Sequence, residues 1–577
     1  MLFPAMFLPT TLEEMNALGW DRLDVILVSG DSYIDHPCMG AAVIGHVLVN
    51  AGFRTGIIAQ PDTGGPADIT RLGEPALFWG VTGGSVDSLV ANYTASGKRR
   101  KSDDYTPGGI NGLRPDRALI VYTNLIRRFF KKTCPVVLGG IEASTRRIAH
   151  YDWFSDSIRR SVLFDAKADF LVYGMGERAV LDLARCISSR EDTRKIRGIC
   201  YAAGERPASC AVLPSYAEVA RDKDAFGEMF RMFSENSDRP DAAALCQLHD
   251  TRCLVQNPPQ PPLTCGELDA LHALEFERDQ HPFYERMGAV RALETIRFSI
   301  TTHRGCFGGC SFCSIGPHQG RSVVSRSRDS IVSEARSLTR HPRFRGIISD
   351  VGGPTANMYA LGCGREAGEY SCGGRGCLFP RVCANLRVDH GPQIELLKAL
   401  RGLPGVKKVF VASGVRHDLV MADTRNGTRY LQELVDHHIS GQMKIAPEHT
   451  VSHVLEPMGK PGPACLVSFK DLFDRLNRES SRKQFLTYYF MAAHPGCTLD
   501  DMLDLKRFTR ERLRINPEQV QIFTPLPSTW SGVMYHTGKG PSGRKSLFVE
   551  KDRRKRQQQK DVLVAKTPLR ATGRRRR

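Results

Sequence analysis

From residue 291 onward the chain repeats one unit: a short apolar run, a polar or glycine-rich segment, then an amphipathic stretch. The apolar runs lie near 296–302, 345–349, 407–412, 442–446, 484–490 and 519–523. Helical patterns follow at 327–340, 392–402, 428–438, 466–477 and 499–513. Strands that alternate with helices build a parallel sheet, because a parallel neighbour needs a crossover. Six such units predict a partial, TIM-like (βα)6 barrel over 291–535, with ligands at the carboxyl ends of its strands. The segments just after the strands agree. They are a cysteine loop, Asp350-Val351-Gly352-Gly353-Pro354-Thr355, Ala412-Ser413-Gly414-Val415-Arg416, Ala446-Pro447-Glu448-His449, His494-Pro495-Gly496 and Thr524-Pro525-Leu526-Pro527-Ser528. All would meet on one rim.

The cysteine loop after the first strand reads Arg304-Gly305-Cys306-Phe307-Gly308-Gly309-Cys310-Ser311-Phe312-Cys313, a C-x3-C-x2-C spacing. Three thiolates on a tight loop can hold three irons of a [4Fe–4S] cubane and leave the fourth open. A structural zinc knuckle would want four closed ligands. A second group, Cys363, Cys372, Cys377 and Cys383, follows in a glycine-rich loop. Four thiolates there suit a second iron–sulfur cluster or a structural zinc; free reduced cysteines are the alternative.

The amino-terminal part also alternates. Asp24–Gly30, 55–59, 135–140 and 170–174 read as strands, and residues 39–51 as a helix. A doubly wound α/β domain over 1–205 follows. Residues 206–290 include Asn257-Pro258-Pro259-Gln260-Pro261-Pro262 and read as a connecting segment. No run nears the length of a transmembrane helix, so no membrane partner is expected. The 17 cysteines are an odd, scattered set. That argues against a secreted disulfide framework and for a reducing cytoplasm. Of the net charge of +18, residues 541–577 hold +11, from fourteen Lys or Arg and three acids. The tail over 536–577 is therefore expected to be basic and disordered, with RNA contact through its charge or simple solubility as its two readings.

The cysteine spacing, with an aromatic before the third cysteine, resembles the signature of the radical S-adenosylmethionine (SAM) superfamily. Longer strings narrow the likeness: Gly30-Asp31-Ser32-Tyr33-Ile34-Asp35-His36-Pro37, Leu138-Gly139-Gly140-Ile141-Glu142-Ala143-Ser144, Tyr173-Gly174-Met175-Gly176-Glu177-Arg178, Asp350–Tyr359, Ile445–His449 and Phe523–Thr529. Together they resemble the YgiQ family of radical SAM proteins over about 15–540. The resemblance implies that Cys306, Cys310 and Cys313 hold a [4Fe–4S] cluster. An external electron donor would reduce it, and SAM would be cleaved to a 5′-deoxyadenosyl radical that takes hydrogen from an unknown substrate. Gly352 and Gly353 stand where the family has Gly-Gly-Glu, against the SAM amino group, with Pro354-Thr355 in place of the Glu. Ser413 and Arg416 stand where the ribose and carboxylate of SAM would lie. Glu448 would meet ribose hydroxyls, and Phe312 adenine. A tight turn, an ion pair, a helix cap and core packing are the structural alternatives for these positions. His494 reads as a structural hydrogen-bonding group.

The amino-terminal domain resembles cobalamin-binding folds, whose Asp-x-His-x-x-Gly supplies a histidine to cobalt. Here Asp35 and His36 are adjacent and Gly40 comes four residues after His36. The motif is not met, so cobalamin is not expected and a substrate- or partner-binding domain is. A second class of function remains: a non-catalytic iron–sulfur or zinc protein that binds nucleic acid or a protein partner. Such a module has no need of a SAM-shaped rim, and that is what separates the two.

Overall fold

Val25–Ser29 is buried along its whole length, and its residues alternate between two cores. Ile26 and Val28 join one apolar cluster, while Val25 and Leu27 join another. A strand covered on both faces must be apolar throughout, as strands of parallel sheets are. In this computed structural model, which describes residues 7–237, 241–365 and 376–564, that strand sits inside a nine-stranded sheet.

We number its strands β1 (Val25–Ser29), β2 (Thr55–Ala59), β3 (Phe78–Thr82), β4 (Val136–Gly139), β5 (Phe170–Val172), β6 (Ile199–Ala203), β7 (Ala211–Leu213), β8 (Leu245–His249) and β9 (Arg252–Gln256). The spatial order is β7-β8-β9-β6-β5-β4-β3-β1-β2. The run β2-β1-β3-β4-β5 is parallel throughout. Its order is that of a doubly wound sheet whose direction reverses between β1 and β3, and ligands of such sheets bind at that point.

The 206–290 stretch is built into this sheet rather than acting as a connector. β8 and β9 form an antiparallel hairpin, which joins β6 on one side and β7 on the other. Its turn residue Asp250 takes a left-handed φ of 56°, and a disulfide joins Cys246 to Cys253 across the hairpin. The proline run comes after β9, where the strand has already ended.

The second half carries β10 (Ser299–Thr301), β11 (Ile347–Ile348), β12 (Asp350–Gly352), β13 (Lys408–Val409), β14 (Gln442–Glu448), β15 (Phe485–Ala492) and β16 (Gln519–Ile522). β10 pairs with β12, β11 with β13, and β14-β15-β16 run side by side, all parallel. A bridge between Val415 and Ile445 links the third position to the fourth. The six strand positions thus follow chain order around one core. The helices lie close to their expected bounds, for example Arg328–Arg340 and Pro463–Glu479.

The two halves share packing. Phe523, Val533 and Tyr535 join the amino-terminal core, and Ser528 Oγ donates to the Thr145 carbonyl at 2.7 Å. No helix among the described residues is long and apolar enough to cross a membrane. The disordered-tail expectation needs correction. Residues Arg553–Val564 form a helix that buries Arg556, Gln559 and Leu563. Those three share one helical face by their spacing, which the basic composition hides. Residues 565–577, with the last arginine run, lie outside the described residues.

Candidate active site at the meeting of sheet and barrel

The cysteine loop leaves β10 through a short pair of bridges and turns on Gly305 and Gly309, with φ of 80° and 58°. A side chain at Gly305 would meet the Ser322 carbonyl oxygen at 2.0 Å, so only glycine fits. The loop is pinned from outside. Ser311 Oγ donates to the Pro457 carbonyl at 2.6 Å and lies 2.7 Å from Ser531 Oγ. The Ser311 amide donates to the Met458 carbonyl at 3.1 Å.

The thiols gather around Gly308. A methyl group placed there would lie 3.1 Å from Cys306 Sγ, 3.6 Å from Cys310 Sγ and 2.9 Å from an Arg416 guanidinium nitrogen. Cys313 completes the set: burial, and then the neighbouring Cys310 and Cys306 thiols, push its pKa up to about 12. No three His, Cys, Asp or Glu side chains among the described residues come together around a point that one metal ion could fill. A four-iron cluster is wider than an ion and takes its thiolates at separate corners, so it does not require the three sulfurs to close on one point.

Two buried cations face these sulfurs. Arg416 places Nη1 3.6 Å from Cys310 Sγ. Its Nε and Nη2 are held by Asp418 at 2.9 and 2.5 Å. Burial opposes its charge, but Asp418 and the Cys310 and Cys306 thiols together raise its pKa above the ordinary value. The fork expected to grip the SAM carboxylate is therefore already filled, and its free edge turns to the thiols. Lys460 donates to the Ala446 carbonyl at 2.8 Å and lies 3.4 Å from Glu448 Oε1. Burial works against its charge too, while Cys310 and Glu448 hold its pKa up. Its Nζ sits 5.8 Å from the centre of the Phe312 ring. Sequence reasoning missed Lys460; it follows a helix and a left-handed Gly459, and nothing local marks it.

Glu448 itself is buried, and burial raises its pKa although Lys460 counters. Its φ of 67° is left-handed, a conformation that costs a non-glycine residue about 1 kcal/mol or more. Phe312 packs against both large cores. Ser413 binds Asp350 through both its hydroxyl and its amide. Gly352 leaves the Ser413 Cβ 3.6 Å from where a side chain would start. Gly353 lies against His303, whose ring would be 2.7 Å from an added Cβ. His303 is a second residue the sequence reading missed. Its Nδ1 is 2.8 Å from Thr302 Oγ1, its Nε2 is buried without a partner, and burial lowers its pKa to about 4. Thr355 Oγ1 lies 3.3 Å from Cys306 Sγ. His494 is structural: it bonds the Pro495 carbonyl at 2.9 Å and Ser531 Oγ at 2.7 Å.

Beside this rim lies a cavity of about 510 Å³. One wall is the barrel rim, with His303, Asp350, Gly352, Gly353 and Ser413. The other follows β1, β3, β4 and β5, with Asp31, Ser32, Gly84, Gly139 and Glu177 among its residues. The two sheets therefore present their ligand-binding ends to each other. Glu177 Oε1 takes Arg304 Nη1 at 2.6 Å across the junction, and Ser144 Oγ lies 2.9 Å from His318 Nδ1.

The second cysteine group fares less well. Cys377 and Cys383 pack with Cys306 around Phe307, Met358 and Leu378, and the Cys383 amide donates to the Cys377 carbonyl at 2.8 Å. Cys363, Cys377 and Cys383 do not form a metal-holding set, and Cys372 lies outside the described residues. A second cluster or zinc has no support here. His36 has both ring nitrogens engaged: Nδ1 by Cys38 and Nε2 by Arg278 at 3.0 Å. It does not line the cavity.

Comparison with known proteins adds the following. The family model "Radical SAM N-terminal" matches residues 7–299. UPF0313 proteins of Fusobacterium nucleatum, Thermotoga maritima and Methanocella arvoryzae are 54%, 50% and 46% identical. Each match covers 97% of this chain, and 99%, 99% and 93% of the respective relative. Among solved structures, the radical SAM methyltransferase TsrM of Kitasatospora setae, with cobalamin and a [4Fe–4S] cluster bound, is 16% identical, with a TM-score of 0.49 over 87% of this chain and 76% of that one. The cobalamin-dependent SAM radical enzyme OxsB is 12% identical, with a TM-score of 0.49 over 86% and 53%.

Proposed function

This chain belongs to the UPF0313 family, the YgiQ family of radical SAM proteins, and is a radical SAM enzyme; from that premise we propose that it cleaves SAM reductively at the Cys306–Cys310–Cys313 loop to abstract hydrogen from a substrate held in the cavity. Bound there, a [4Fe–4S] cluster and SAM would supply a 5′-deoxyadenosyl radical. Cys306, Cys310 and Cys313 would be the cluster ligands. Gly352 and Gly353 carry no side chain on this rim: His303 fills the space beside Gly353, and Ser413 stands beside Gly352. Ser413, locked to Asp350, presents a fixed polar edge on the same wall. Arg416 and Lys460 place two positive charges beside an anionic group, in a buried setting where charge interactions are strong. Phe312 and Glu448 bracket Lys460. The amino-terminal sheet supplies the opposite wall of the cavity in which the substrate would be held.

The observation that carries this reading is the gathering of two thiols, Cys306 and Cys310, and the Arg416 guanidinium about Gly308, with the Cys313 thiol electrostatically coupled to both, at the carboxyl end of the first barrel strand. The test is metal content. The anaerobically reconstituted protein should be brown and hold iron and sulfide. Replacement of Cys306, Cys310 and Cys313 together by Ala should remove both, and replacement of Cys363, Cys377 and Cys383 should not. Full iron and sulfide in the first triple variant would refute the assignment.

A further inference from the structure

The two walls of the cavity differ in chemistry. The barrel wall is the SAM end of the function proposed above. The sheet wall is mostly apolar, with Met39, Val43, Ile44, Ile141 and Val172, but it carries Asp31, Ser32 and Glu177 in their midst. Asp31 and Ser32 follow β1, and Gly84 and Ser85 follow β3, so this wall opens at the point where the strand order reverses.

Two polar atoms of that wall lack partners. Arg304 takes only one oxygen of Glu177; Oε2 has no hydrogen bond. Ser32 Oγ has none either. The Glu177 side chain is only 7% exposed and Ser32 only 2%. A buried polar atom left unpaired costs roughly 1–3 kcal/mol. Two such atoms in the lining of one cavity mark a wall that a ligand completes.

Charge narrows the ligand. Asp31 and Asp103 share one guanidinium, that of Arg114, at 2.7 and 3.0 Å. Glu177 takes up Arg304. No lysine lines the cavity, and burial lowers the pKa of both lining histidines, His303 and His318, to about 4, so they are neutral at pH 7. The wall holds more carboxylates than cations, and its cations are engaged. No lining side chain offers an anion an unpaired cation; the uncapped amino-terminal turn of the helix Gly40–Asn50 is the anion-favouring feature that the wall does carry. A cavity of about 510 Å³ is of the size that receives a compact organic molecule, within the roughly 300–1,000 Å³ usual for such sites.

We propose that the substrate is a compact organic molecule with an apolar body and a neutral or cationic, hydrogen-bond-donating head, received by Glu177 Oε2 and Ser32 Oγ. On this proposal phosphate-bearing molecules, nucleic acid among them, do not bind this wall. This rests on the proposed function only in taking the barrel wall as the SAM end.

The test uses three probes of one shape, phenylpropylamine, phenylpropanol and phenylpropionate, titrated by calorimetry into the full-length protein without reductant or SAM. The amine and the alcohol should bind, and the carboxylate at least about tenfold more weakly. Glu177→Gln, which frees Arg304, should narrow that preference to about threefold or less. Ile44→Trp, which fills the apolar wall, should weaken amine and alcohol at least about tenfold while the thermal midpoint holds. Three results would overturn the inference. They are no binding by any probe, a carboxylate that binds as well as the amine, and selectivity untouched by Glu177→Gln. Displacement of the amine by a single-stranded RNA hexamer, lost in Ile44→Trp, would overturn it too. Probe selectivity and the iron and sulfide content that tests the proposed function are read separately. A variant with Cys306, Cys310 and Cys313 replaced by Ala should keep the first whatever becomes of the second.

Discussion

At the scale of single residues, the site is a problem of burying charge. Three thiols on one loop would repel each other once ionised; burial first, and then the neighbouring Cys310 and Cys306, push the Cys313 pKa up to about 12. Arg416 and Lys460 answer that, each held in place by its own carboxylate, Asp418 and Glu448. A buried cation beside a redox group favours the reduced, more negative state. Lys460→Met should therefore shift the reduction midpoint of the reconstituted protein to more negative potential, read by a redox titration followed by electron paramagnetic resonance. Lys460→Arg should stay near wild type. A Lys460 that only braces Glu448 would lower the thermal midpoint in the Met variant and leave the potential where it was.

At the scale of elements, periodicity carried most of the reading. The barrel strands and helices fall within a few residues of their expected places, because each is covered by neighbours in a way its pattern of apolar residues reports. β14 extends to Glu448 and β15 to Ala492, past the apolar runs, since the ligand rim is polar. β3 escaped because Phe78-Trp79-Gly80-Val81-Thr82 is short and broken by a glycine. The β8–β9 hairpin escaped because its pairing is long-range and its sequence mixed. The Cys306 loop was legible because its chemistry sits in ten consecutive residues. Lys460, His303 and Glu177 were not, since their roles exist only once distant elements meet. The carboxyl-terminal helix is the clearest case of composition misleading. Gln559 accepts from the Ala493 amide at 2.8 Å and donates to the Cys497 carbonyl at 3.2 Å, and Leu563 joins the barrel core. A chain ending at Glu550 should lose about 3 kcal/mol from that leucine and those bonds. Its thermal midpoint should fall measurably; an unchanged midpoint would show that the helix is dispensable to the barrel.

At the scale of the whole molecule, a doubly wound sheet and a partial barrel turn their ligand-binding ends toward one cavity. Each end has a core of its own, and the two are joined through Phe523, Val533 and Tyr535. What their meeting supplies is one cavity with Gly352, Gly353 and Ser413 of the barrel rim on one side and an apolar, acid-bearing wall on the other. That arrangement suits a radical made beside one wall and spent at the other. The most direct measurement is release of 5′-deoxyadenosine from SAM by the anaerobically reconstituted, reduced protein. The wild type should release it, and the protein with Cys306, Cys310 and Cys313 replaced by Ala should release none above the reductant blank. Equal release by both proteins, or none by a wild type that holds its iron and sulfide, would contradict the reading of this site.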